Sequence, residues 1–141
     1  MDTLFLNLKA YSGDDQIEFE RIPFKNFSYI NIHINGADVL KDNFLGNGFL
    51  IFEELKKSYL NKGKYLIFTS ISGIADDSGW NYVNVESTEN SIKWFLERED
   101  TQYQYEFEQN KYLEEIIKID NLLMNLDKTI TIEPSLIIFP E

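Results

Sequence analysis

Residues 80–108 read "WNYVNVESTENSIKWFLEREDTQYQYEFE". Three runs, "WNYVNVE", "SIKWFLER" and "QYQYEFE", are separated by the short turns "STEN" and "EDT". Each run alternates apolar and polar residues, and a period of two puts successive side chains on opposite faces of a strand. Ile92, Trp94 and Leu96 share one face, as do Tyr103, Tyr105 and Phe107. Gln102, Gln104, Glu106 and Glu108 point the other way. Turns this short join antiparallel neighbours. The stretch therefore predicts an antiparallel meander with one apolar face and one wet face.

The flanks supply helices. "NKYLEEIIKIDNLLMNL" carries Tyr112, Ile116, Ile119, Leu123 and Leu126 at helical spacing, with Asn110 as a candidate N-cap. An earlier helix is expected over roughly 47–61, with Phe49, Phe52, Leu55 and Tyr59 as its stripe, Asn47 as N-cap and Gly63 as stop signal. "LFLNL" reads as a first strand, "YSGDDQ" as a loop, and "IEFERIPF" as a strand disturbed near Pro23. In "YINIHINGADVL", Ile30, Ile32 and Ile34 alternate with Asn31, His33 and Asn35, a half-buried strand. Asn35-Gly36 then suits a tight type I′ turn, because both residues tolerate positive φ. "KYLIFTSI" reads as one central strand, and "TITIEPSLIIFPE" as a final extended segment kinked or closed by Pro134. The sum is a single α+β domain over 1–141, an antiparallel sheet packed against two amphipathic helices.

Bulk composition narrows the function classes. A chain of 141 residues can bury about two-thirds of its unfolded surface in one core. Without cysteine it has no disulfide and no thiolate metal site. "MDTLFLNLKAY" shows no basic n-region or apolar h-region, and no run approaches a membrane span, so a cytoplasmic location is expected. The net charge is −11, from 24 acids and 13 Lys plus Arg. Such a chain repels nucleic acid and anionic membranes and attracts cationic partners.

The acidic stretch "TSISGIADDSGW", residues 69–80, invites a metal or acid/base reading. Adjacent aspartates on an extended segment point apart, and the calcium-loop spacing is missing. A turn accounts for its Asp, Ser and Gly. His33, on a polar strand face without convergent partners, reads as solvated. "GNG" lacks a P-loop lysine and reads as a flexible helix entry. No cofactor and no metal are expected. Between Glu86 and Glu115, nine acids face three bases. Alternation places several of them on the wet face, where like charges oppose strand pairing. A basic partner docking there would explain that arrangement. Trp80 and Tyr82, out of phase with Val83 and Val85, would face outward beside it as anchors.

Two places resemble small bacterial immunity proteins, the antidotes of polymorphic-toxin and contact-dependent growth inhibition systems. One is "INIHINGADVL"; the other is "KYLIFTSISGIADDSGWNYVNVESTENSIKWFLE" with "YEFEQNKYLEEI". The likeness spans about residues 29–119, and its motifs are structural. Relatives often carry cysteines where Ser70 and Ser72 stand here. The resemblance implies a cytoplasmic, non-enzymatic protein that neutralises a cognate toxin domain. A basic, nuclease-type toxin fits the charge. The residues expected to meet it are Asp76, Asp77, Trp80, Tyr82, Glu97, Glu99, Asp100, Glu106 and Glu108. The rival readings are a small hydrolase using an acidic pair and a non-catalytic adaptor or structural subunit.

Overall fold

A computed structural model describes residues 1–19, 22–40, 48–69, 82–98, 100–134 and 137, with backbone alone over 12–19 and 22–25. The elements in chain order are β1 (Leu4–Phe19), β2 (Ile22–Ile34), β3 (Ala37–Asp38), β4 (Phe49–Leu50), α1 (Phe52–Leu60) and β5 (Gly63–Tyr65). There follow β6 (Phe68–Thr69), β7 (Val83–Ser87), β8 (Ser91–Arg98), β9 (Thr101–Glu108), α2 (Gln109–Met124) and β10 (Thr131–Ile132). The architecture is mixed α+β, with mainly antiparallel sheets and, among the described residues, two amphipathic helices.

The meander forms as its alternation requires. β7, β8 and β9 pair antiparallel, and β5 adds to the outer side of β7. Ile92, Trp94 and Leu96 are buried, and so are Tyr105 and Phe107 of β9. α2 begins at once after β9 and folds its Tyr112, Ile116 and Ile119 onto that apolar face. Each such fully buried side chain contributes about 1.5–3 kcal/mol from apolar burial alone. The helix is held by this packing, because no side chain caps its N-terminus: Glu108, not Asn110, is the N-cap residue. Polar groups inside the packing are matched. Trp94 Nε1 donates to the Tyr112 phenol at 3.2 Å, Tyr112 bonds Ser58, and Ser58 donates to the Leu55 carbonyl. One donor chain thus links β8, α2 and α1.

The second sheet is the long β1–β2 hairpin with β3 and β10. "YSGDDQ" does not end the strand. The register moves from Tyr11↔Phe27 to Gln16↔Lys25, so residues 12–15 oppose Asn26 alone. That is a bulge, and Asn26 accommodates it at φ +48°. Pairing resumes to Phe19↔Ile22, with Pro23 opposite Glu18. Asn35 and Gly36 take φ values of +53° and +84°, and the chain returns as β3, the hairpin expected of Asn-Gly. β10 joins β2 in parallel. The two sheets meet at one parallel bridge, Asp2 beside Phe107.

Three further expectations need correction. The first helix starts at Phe52, not near Asn47, with Ile51 as N-cap residue. Phe49 and Leu50 instead form β4 against β6, and Phe49 packs with Phe27 and Tyr29. "KYLIFTSI" is not one central strand. It breaks at Leu66–Ile67 into an edge strand, β5, and the short β6. β2 is not half-buried either. Ile30, Ile32 and Ile34 are covered on one face, and Phe27, Tyr29 and Asn31 on the other.

Candidate functional site

Strand register fixes the outward face of the meander. Cross-strand rows run Lys64–Asn84–Phe95–Gln104 and Glu86–Lys93–Glu106, with Glu97–Gln102 beside them. Residues of one row lie on one face, so Glu86, Glu97 and Glu106 share it, as alternation implies. Glu108 closes the face at the end of β9 and is exposed. The face is less uniformly acidic than the sequence suggests. Lys93 stands between Glu86 and Glu106, and amides separate the remaining acids. Interleaving amides and a lysine relieves the repulsion that neighbouring glutamates would create.

The acids of the 86–115 stretch do not gather in one patch. Glu114 and Glu115 lie on α2 and pair with Lys111 and Lys118. Glu115 also accepts the Leu6 N–H at 2.8 Å, satisfying a backbone donor on the free edge of β1. Asp100 occupies the β8–β9 turn at φ +64° and is exposed. Asp76, Asp77, Trp80 and Glu99 lie outside the described residues. So do Ser70 and Ser72. Tyr82 is 39 % exposed and stands beside the outward face.

A hollow of about 530 Å³ opens on this face, lined by Tyr82, Asn84, Phe95, Glu97, Gln102 and Gln104 among others. Phe95 is half-buried at its side, an apolar ring on an otherwise polar surface. Glu97 is exposed, and among the described residues it makes no hydrogen bond and no ion pair. Glu106 differs, because one of its carboxylate oxygens accepts the Ser91 hydroxyl at 2.7 Å. An unpaired carboxylate beside aromatic rings and neutral amides suits a cationic or hydrogen-bonding group presented by a partner.

A second cleft, about 330 Å³, lies between the N-terminus and the first turns of α2, and it gathers Asp2, Glu108 and Glu115. Two of its carboxylates are committed to structure. Asp2 accepts from Asn35 Nδ2 at 2.9 Å and from the Glu106 N–H at 2.7 Å, while Glu115 serves Leu6 and Lys118.

The sequence reading missed one polar cluster. Asp38 and Asn31 are buried and bonded at 2.6 Å, and the His33 Nε2–H donates to the Asn31 side-chain oxygen Oδ1. His33 is half-buried with its ring edge-on to Phe5 at 5.8 Å, so it is not simply solvated. Asp38 also accepts the Leu40 N–H at 3.2 Å, which pins the chain beyond the Asn35-Gly36 turn. The signal in the sequence is the Asn/His alternation, which by itself does not distinguish a covered polar face from a wet one.

Buried phenols surround the core. Desolvation raises Tyr105 to about 12, helped by Tyr103 and Asp2, and its hydroxyl has no hydrogen-bond partner among the described residues. Desolvation also raises Tyr29, with Tyr11 and Asp38 adding to it. Asp127, at the surface, is lowered by its bonds from the Thr129 backbone and hydroxyl. Among the described residues no group of three or more His, Asp or Glu is arranged to hold a metal ion. No described helix is long and apolar enough to cross a membrane. Comparison with known proteins returns no matching family model, no matching curated protein and no matching solved structure.

Proposed function

We propose that this chain is a non-enzymatic immunity protein, which binds a basic toxin domain of the nuclease type in the cytoplasm and blocks it by occlusion. The observation that carries the reading is the hollow on the outward meander face, where Glu97, among Tyr82, Phe95, Asn84, Gln102 and Gln104, has no ion-pair partner among the described residues. Glu86 and Glu106 lie on the same face one cross-strand row away, with Lys93 between them, and exposed Asp100 occupies the turn beyond Glu97. The net charge of −11 draws a cationic partner from a distance. Contacts in the hollow then hold it, each fully desolvated charge pair costing ~2–5 kcal/mol when one side is truncated. The resemblance of residues 29–119 to immunity proteins points the same way.

The test is co-expression with the C-terminal domain of the polypeptide encoded immediately upstream. The expected outcome is rescue of growth and a stable complex. Failure to rescue growth or to form a complex, or turnover of a small-molecule substrate by the isolated chain, contradicts the proposal.

A further inference from the structure

Among the described residues, one edge of the meander is open. Glu106 directs both its backbone groups away from β8, since its carbonyl accepts the Asp2 N–H at 2.7 Å and its N–H donates to the Asp2 carboxylate at 2.7 Å. Backbone direction alternates along a strand. Gln104 and Gln102, two and four residues back, therefore aim their N–H and C=O groups at the same edge. Their cross-strand partners, Phe95 and Glu97, are accordingly of the non-hydrogen-bonded kind. Asp2 fills one rung and the chain then leaves as β1, so among the described residues no strand meets Gln102 or Gln104 on that side.

Edge strands of this length are ordinarily guarded by lysine, proline or a bulge. Residues 101–105 read "TQYQY", with no charge and high strand propensity, and Thr101, Gln102 and Gln104 are exposed. We infer that the free edge of β9 at Gln102 and Gln104 is a strand-addition site for an extended, lysine- or arginine-bearing segment of the partner protein. This rests on the docking reading above and names how the partner is held. Main-chain bonds to the edge supply affinity, and alternate side chains supply specificity. The charge selects the occupant. β9 carries Glu106 and Glu108 and no base, with Glu97 beside it, so lysines on the added strand find opposite charge. A second copy of β9 would bring acids against acids.

The probe is a short peptide alternating lysine with valine, compared with the same peptide N-methylated throughout, which keeps charge and side chains but loses its backbone donors. The readouts are binding at low salt and amide exchange at Gln102 and Gln104. The expected result is exchange slowed by about tenfold or more on saturation, and binding weakened by about tenfold or more by methylation. Gln104→Pro, which removes a donor not used toward β8, weakens binding similarly. If that variant does not fold, the exchange measurement on the unaltered chain decides. Equal binding of both peptides overturns strand addition and leaves electrostatic docking on the face. Binding of neither peptide, or protection of these amides by self-association alone, also overturns it.

Discussion

The indole of Trp94 stands at 89° to the Tyr112 ring, and its N–H donates to the Tyr112 hydroxyl at 3.2 Å. Both side chains are fully buried, and the hydroxyl passes its own proton toward Ser58 on α1. Tyr112→Phe keeps the ring and removes the relay, leaving a buried indole donor unmatched. The expected loss is about 1–3 kcal/mol. Chemical denaturation followed by tryptophan fluorescence measures it, and an unchanged midpoint would show that the relay adds nothing.

Ile116 lies on the buried stripe of α2 at 5 % exposure. Ile116→Ala removes apolar volume under a helix that depends on packing for its stability. A destabilisation of about 2–5 kcal/mol is expected from lost transfer energy and the residual cavity. Exposed Ile117→Ala, on the same helix at 49 % exposure, serves as the comparison and stays within about 0.5 kcal/mol.

Gly36 sits at φ +84° with no atom within 4 Å of a Cβ placed on it. Gly36→Ala therefore meets strain without a clash. The expected cost is about 1–2 kcal/mol, read as a shift in denaturation midpoint, and Gly36→Asn costs less because asparagine tolerates the left-handed region.

Stability falls in alkali. Burial raises the phenols of Tyr29, Tyr105 and Tyr112 above the ordinary value of 10. In the unfolded chain these groups lose their protons near pH 10, whereas in the folded chain they hold them. Their contribution is complete below that pH and is lost as pH rises toward the folded values, near 12 for Tyr105. Denaturation midpoints are expected to be level from about pH 7 to 9 and to decline above pH 10, with a shallower decline in Tyr112→Phe. A midpoint that is flat through about pH 11 would contradict the burial of these phenols.

What could be read from the residues divides along physical lines. β8, β9 and α2 were legible because one face is covered and the other wet, so period and burial coincide in Trp94, Tyr105, Ile116 and their neighbours. Asn35-Gly36 was legible because its turn demands positive φ at both positions. The β1 bulge was not, since "SGDD" looks the same whether the chain leaves the sheet or detours within it. The burial of Asn31 was not, because alternation reports polarity, and a covered polar face differs from a wet one only through tertiary contacts such as the bond to Asp38. The outward placement of Glu97 and Glu106 followed from parity. The lysine and amides interleaved with them needed the register.

The most direct test of the central claim is the association rate between this chain and the C-terminal domain of the polypeptide encoded immediately upstream, measured by stopped flow over a range of ionic strength. The variant is Glu86→Lys with Glu97→Lys, two carboxylates outside every described ion pair. An acidic docking face predicts association about tenfold or more slower at low salt, with the two rates converging as salt screens the charges. Equal rates at every ionic strength, with the fold intact, would contradict it.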